Sequence, residues 1–397
     1  MTSNESPATN HEPRATVPYW RLSGFYLFYF GVVGLYMPYW PLYLDSLGLT
    51  AGGIGLYFGV TSAMRILAPN LWGWLADRSN RRMPFIRLAL VMAALMFFLL
   101  GQVSSLTALL LLGMLMGFFW TGALPQFEAV TLGHLGNNTD AYPRIRIWGS
   151  IGFILTVTGI GYYFEWFPID HLPLFITAVM LICLLNTALL PEAAVSQSKR
   201  TYEPLSSVLK KPSVIVLLLA AFFMQFSHAP YYAFYSLYLS EHGYAKTVIS
   251  AMWSLGVLAE VVAFLLMRRF IRLWGLRYLM IGSLLLAALR WWMIATFVDN
   301  MVLMLLAQLL HGATFGVFHA VAILLIHKNF PGRLQGRGQA LYSSLSFGLG
   351  VALGSLIAGA MWEPLGATPT YLMASVVTAA AALFCWKWLE EVPSRQQ

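Results

Sequence analysis

The chain alternates between long apolar runs and short breaks rich in charge, proline or glycine. A helix needs roughly twenty apolar residues to cross the hydrocarbon core of a bilayer. Runs of about that length occupy residues 20–44, 53–76, 84–101, 105–134, 144–164, 172–190, 213–240, 246–267, 277–297, 301–326, 336–360 and 367–389. The pattern predicts an all-α membrane protein with twelve transmembrane helices. Several runs contain Pro or Gly, which membrane helices tolerate where neighbours satisfy the released backbone groups. Residues 1–18 are polar and read as a disordered cytoplasmic tail. Residues 191–212 form the longest later polar stretch and read as a cytoplasmic linker between six-helix bundles at 19–190 and 213–390, with a short cytoplasmic tail at 391–397.

The two halves echo each other. Residues 41–48, Pro-Leu-Tyr-Leu-Asp-Ser-Leu-Gly, align with 236–243, Ser-Leu-Tyr-Leu-Ser-Glu-His-Gly, at an offset of 195. The same offset pairs Tyr36 with Tyr231, Tyr43 with Tyr238, Arg65 with Glu260, Asn80 with Gly275 and Arg82 with Arg277. Parallel halves related by an axis along the membrane normal predict a binding site between them at the midplane.

Charge adds orientation. Only 10% of the 397 residues are charged and 59% are hydrophobic, whereas soluble domains carry about 25% charge. The +8 balance would suit nucleic acid, but its cations lie in the breaks. Seventeen Lys and Arg, Arg78, Lys199, Arg200, Arg272 and Arg333 among them, follow even-numbered runs, and one, Lys246, follows an odd-numbered run. That asymmetry puts both termini in the cytoplasm, and we expect a multi-pass protein of the bacterial inner membrane with no nucleic-acid partner. Two cysteines far apart, Cys183 and Cys385, exclude a disulfide framework and cysteine metal sites. The histidines show no metal-binding spacing. No cationic start with a small-residue cleavage site suggests a signal peptide.

Residues 73–82 read Gly-Trp-Leu-Ala-Asp-Arg-Ser-Asn-Arg-Arg, a charged hairpin between two apolar runs. Gly73, Asp77, Arg78, Arg81 and Arg82 in this spacing resemble the loop-two/three signature of the major facilitator superfamily. Asn80 stands where that family usually has Gly, and Asn also accepts a left-handed turn. The resemblance implies the two-bundle fold and a gating role for the hairpin. The second-half counterpart has Arg272 in place of Asp77, so the acidic part is lost there.

Ionisable residues inside a bilayer need a partner or a wet cavity, because each costs about 2.5–3.5 kcal/mol at the helix centre on insertion scales. Arg65, Glu128, Arg146, Glu260, Arg290, His311 and His319 are such residues, with His228 a weaker one. The stretch Pro125-Gln-Phe-Glu-Ala followed by Arg144-Ile-Arg-Ile-Trp-Gly-Ser-Ile-Gly-Phe153 resembles the lactose-permease branch, and helix one resembles still more the 3-phenylpropionate transporters. That likeness implies substrate binding by Glu128 and Arg146, with Phe153 stacking on the ligand. Arg290 and His311 fall where the branch has a helix-nine Arg and a helix-ten His. Thr314 replaces its proton-carrying Glu, which leaves Glu260 as first choice for proton coupling, His311 as second, and His319 as either coupling group or packed histidine. Arg65 reads as a cavity residue or a structural pair at the seam. Tyr36 and Tyr231, matched by the repeat, read as cavity walls.

Three arginines against two glutamates leave an excess of one positive charge, which favours an anion, and aromatic walls suit a phenyl ring. The expectation is a symporter, driven by the proton gradient without a cofactor and working as a monomer, that imports a small aromatic carboxylate such as 3-phenylpropionate. A sugar or nucleoside symporter, an efflux antiporter and a non-transporting receptor share the same sequence features. No nucleophile constellation or Gly-Lys-Ser/Thr loop suggests a membrane enzyme or an ATP-driven pump.

Overall fold

A computed structural model describes residues 17–136, 138–193, 206–330 and 334–390. The first sixteen residues, linker positions 194–205 with Lys199 and Arg200, Arg333, and the tail at 391–397 lie outside the described residues. Among those described there are helices and turns but no strand. The helices are α1 (Tyr19–Ser46), α2 (Ala51–Ser79), α3 (Met83–Leu100), α4 (Leu106–Leu135), α5 (Tyr142–Tyr163), α6 (Leu172–Ala188) and α7 (Pro212–Glu241). A 51-residue helical stretch, Lys246–Thr296, turns sharply at Gly275 and is counted as α8 (246–274) and α9 (276–296). Then come α10 (Met301–Asn329), α11 (Gln335–Leu365) and α12 (Ala367–Trp388).

Ten helices among the described residues, with Lys246–Thr296 taken whole, are long and apolar enough to cross a membrane. The α1 helix is not one of the ten. It has the length, at 28 residues, but carries six tyrosines and Pro38 and Pro41 along it. Helix starts follow local chemistry. Thr50, Ser105 and Asn300 accept backbone N–H groups at the starts of α2, α4 and α10. Proline stands in the first turn of α3, α5, α6 and α7.

The hairpins bear out the left-handed turn. Asn80 ends α2 at φ 55° and is the sole non-glycine with positive φ among the described residues. Its counterpart at offset 195, Gly275, turns the chain between α8 and α9 at φ 70°.

Helices α1 to α6 pack chiefly on one another, as do α7 to α12. The pairs α1–α7, α2–α11 and α5–α8 join the two sets. Small residues allow the closest approach, the usual device where lipid removes the hydrophobic drive between helices. A Cβ added at Gly55 in α2 would stand 2.5 Å from the Ser355 carbonyl oxygen and 2.7 Å from Gly359 Cα in α11. The outside is apolar, with Leu185, Leu265 and Leu383 largely exposed. An apolar groove from Ile215 and Phe222 to Leu345 and Leu349 lies between α7 and α11, and no predicted site residue lines it.

Two features depart from plain helices. Gly312–Val317 in α10 and Ser344–Gly350 in α11 are π-helical, a wider turn that often accompanies functional sites.

Candidate functional site

The charged residues of the last six helices converge. Arg290 on α9 is fully buried. Its Nε donates to the Ala307 carbonyl at 3.0 Å, Nη2 to Gln308 Oε1 at 3.3 Å, and Nη1 to His311 Nδ1 at 2.9 Å and Thr314 Oγ1 at 3.4 Å. Its Cζ lies 4.4 Å from the Tyr231 ring centroid and 4.6 Å from that of Trp291. The other ring nitrogen of His311, Nε2, is 2.7 Å from Glu260 Oε1 on α8. A guanidinium only donates. His311 Nδ1 is therefore an acceptor, and the ring proton sits on Nε2 facing Glu260. Gln308 closes the network: its Oε1 accepts from Tyr231 Oη at 3.0 Å and its Nε2 donates to Tyr235 Oη at 2.6 Å.

His319 lies eight residues past His311, which in an α-helix sets it about 80° round. The π turn lies between them. His311, Phe315 and His319 form a column of nearly parallel rings, with centroids 5.4 Å and 6.1 Å apart. His319 Nδ1 is 2.8 Å from Tyr342 Oη on α11.

In the first six helices, Arg146 Nε on α5 is 4.0 Å from Glu128 Oε1 on α4, and each side chain is about a third exposed, 33% and 34%. Tyr142 Oη donates to the same Glu128 oxygen at 3.3 Å. Arg146 lies over Phe30 of α1, Cζ to centroid 4.0 Å. Its charge reaches across to Glu260 and His319. Arg65 on α2 is half-buried and has no hydrogen bond or ion pair among the described residues. Its charge reaches Tyr29, Tyr36 and, on α7, Tyr232.

Other predicted residues sit elsewhere. Tyr36 packs among Trp40, Phe58, Phe97 and Trp120 in the aromatic core of the first six helices, because its helix faces three neighbours there. Tyr231 is buried beneath Arg290 rather than bare. Phe153 is buried, has no ring partner among the described residues, and its backbone abuts Gly34 of α1. In the hairpin, Arg82 Nη2 meets Asp77 Oδ1 at 2.5 Å and its Nη1 bonds Gln126 of α4. Arg78 lies over Trp74, the Arg81 N–H donates to Ser79 Oγ, and the bare face of Gly73 admits the Gln126 amide. Glu192 accepts the backbone N–H groups of Arg82 and Met83, at 2.8 Å and 3.1 Å.

Gln308, Phe30, Tyr142, Gln126 and Glu192 escaped the sequence reading. Gln308 had one signal, its place one turn before His311; the others are ordinary residues until their neighbours are known. Among the described residues no three His, Cys, Asp or Glu side chains converge as metal ligands.

Comparison with known proteins gives the family. A probable 3-phenylpropionic acid transporter of Escherichia coli is 27% identical over 370 residues, covering 92% of this chain and 96% of the relative. A maltose permease of Geobacillus stearothermophilus is 24% identical, covering 90% and 91%. Among solved structures, a variant of the nucleoside transporter NupG superposes with TM-score 0.83 at 18% identity, over 93% of this chain and 99% of that one. A D-xylose-proton symporter superposes at 0.74 and 14% identity, over 94% and 97%. These relatives are transporters rather than enzymes, and the profile of the MFS_1 like family matches residues 19–373. The chain belongs to the MFS_1 like family and is an integral multi-pass membrane transporter.

Proposed function

We propose that the protein is a proton-coupled symporter that imports a small aromatic carboxylate such as 3-phenylpropionate. Twelve spans in two six-helix bundles, at 19–190 and 213–390, rock about a central site, with both termini in the cytoplasm of a bacterial inner membrane. The observation that carries this reading is the state of the arginines. Arg290 has its donors engaged inside the protein, whereas Arg65 and Arg146 are partly exposed guanidinium groups without a hydrogen bond among the described residues. Guanidinium groups with unused N–H donors suit a carboxylate, which accepts two parallel hydrogen bonds. The relative that covers most of this chain bears the name of such an acid.

Glu260 carries the coupled proton. His311 faces Arg290 on one side, so a second ring proton would displace a hydrogen bond and put two cations in contact. A proton on Glu260 instead removes a charge without that conflict. Arg290 reaches Glu260 through His311, which ties the proton site to the buried network. The gating hairpin around Asp77 and Arg82 controls the cytoplasmic end.

Purified protein in vesicles tests this. One-to-one symport of a monoanion with a proton is electroneutral, driven by the pH gradient and indifferent to voltage. Symport of a neutral solute also responds to voltage, worth about 2.3 kcal/mol per charge per 100 mV. The second reading, a neutral nucleoside or sugar, draws support from the close superposition on NupG. Voltage-driven uptake of a nucleoside or sugar, with no uptake of 3-phenylpropionate, rejects the first reading and selects the second.

A further inference from the structure

Arg290 is fixed by hydrogen bonds. Arg146 is fixed in another way. None of its N–H groups donates a hydrogen bond to a described residue, and its nearest carboxylate oxygen, Glu128 Oε1, stands 4.0 Å from Nε. That carboxylate takes its one close donor from Tyr142. What holds the guanidinium is ring surface: Cζ lies 4.0 Å from the Phe30 centroid and 5.4 Å from that of Tyr26, both on α1.

The backbone of α5 makes room for this. A Cβ added at Gly149, one turn beyond Arg146, would stand 2.7 Å from Arg146 Nη1 and 2.9 Å from Phe30 Cδ2. The bare position at Gly149 lets the guanidinium lie along its own helix against Phe30, and a side chain there would push one or the other aside.

A cation held by a π face keeps its N–H donors, because the attraction acts through the ring quadrupole and not through a hydrogen-bond acceptor. Stacking leaves the edge of the plane open, and that edge is where a planar carboxylate binds in a fork-to-fork pair. We infer that Phe30 and Gly149 are positioning residues that present the donor edge of Arg146 to the substrate, and thereby set the preference for an anion over its neutral analogue. This rests on the carboxylate reading of the site given above.

The test is direct binding to the purified full-length protein in lipid nanodiscs, with 3-phenylpropionate and its uncharged amide as probes. In Phe30→Leu and Gly149→Ala, affinity for the carboxylate is expected to fall about tenfold, the scale of one cation–π contact. Affinity for the amide should change far less. Phe30→Tyr, which keeps a π face, should restore the carboxylate preference, and Phe30→Leu combined with Arg146→Gln should bind no more weakly than Arg146→Gln alone. A melting measurement on each variant separates a positioning loss from a folding loss.

Equal weakening of acid and amide overturns the inference, as does failure of Tyr to rescue in a folded variant. So does an unchanged Phe30→Leu beside a defective Arg146→Gln. Should the wild type bind neither probe but take a nucleoside or sugar, the substrate reading falls on its own. The same Phe30–Arg146 cycle is then run with that ligand. Coupling between the two positions there upholds the positioning role, and strict additivity rejects it.

Discussion

Arg290 and Arg146 are the same side chain put to different uses by their neighbours. Arg290, with no exposed surface, spends its N–H groups on Ala307, Gln308, His311 and Thr314. Its effect on the site runs through His311, whose tautomer it dictates, and so through the bond from His311 to Glu260. Glu260→Gln keeps an oxygen to accept from His311 but cannot release a proton; uphill uptake is expected to disappear while exchange of labelled for unlabelled substrate continues. Undiminished accumulation against a gradient would exclude Glu260 as carrier. Gln308 is the keystone of the buried polar network, since it binds Arg290, Tyr231 and Tyr235 together. Gln308→Leu leaves those groups short of partners, at about 1–3 kcal/mol for each unsatisfied group, and a thermal melt should show a clear loss of stability.

At the scale of elements, α10 carries a stripe of rings along one face. His311, Phe315 and His319 are spaced four residues apart, which places them on one helix face, and with the π turn at Gly312–Val317 between them the two imidazoles and Phe315 form one column beside α11. The α2–α3 hairpin works on another element boundary. Asp77, Arg82, Gln126 and Glu192 tie the end of α2 to α4, to the start of α3 and to the residues after α6. Asp77 is about half exposed, 48%, so its ion pair is worth only about 0–1 kcal/mol of stability. Asp77→Asn is accordingly expected to leave the melting temperature and substrate affinity nearly unchanged and to slow transport. Parallel loss of affinity and rate would count against a gating role.

At the scale of the molecule, the two sets of helices are fastened at the end away from that hairpin. Glu165, just after α5, accepts the Thr247 N–H at 2.7 Å and its hydroxyl at 3.1 Å at the start of α8, where Ala245 offers no cap of its own. Tyr39 Oη reaches the Lys246 carbonyl at 3.4 Å, and Thr158 meets Ser254 at 3.1 Å. Further along α5, Arg146 is about a third exposed, as is Glu128 of α4. Glu165→Ala removes a cap supplied from the opposite set of helices. A cap is worth about 0.5–2 kcal/mol, a shift of about 2-fold to 30-fold in a two-state ratio. Spin labels on α5 and α8 should report a larger open population at that end; an unchanged distance distribution would show that the cap plays no part in closure.

The linear pattern determined the helices, their order and the hairpin turns. Span length, periodic breaks and backbone-permissive residues such as Asn80 and Gly275 are local properties, and bilayer thickness converts them directly into structure. It also marked Glu128, Arg146, Glu260, Arg290 and His311, because charge within an apolar run is costly wherever the run ends up. Folding alone decided which of those charges are occupied and which are open. Whether an arginine meets carbonyls on a neighbouring helix, as Arg290 does on α10, or a ring more than a hundred positions away, as Arg146 does at Phe30, depends on how the helices pack, and no local pattern carries that geometry. The same holds for Tyr36, whose burial is set by α2, α3 and α4, and for the tie from the ring column on α10 to Tyr342 of α11.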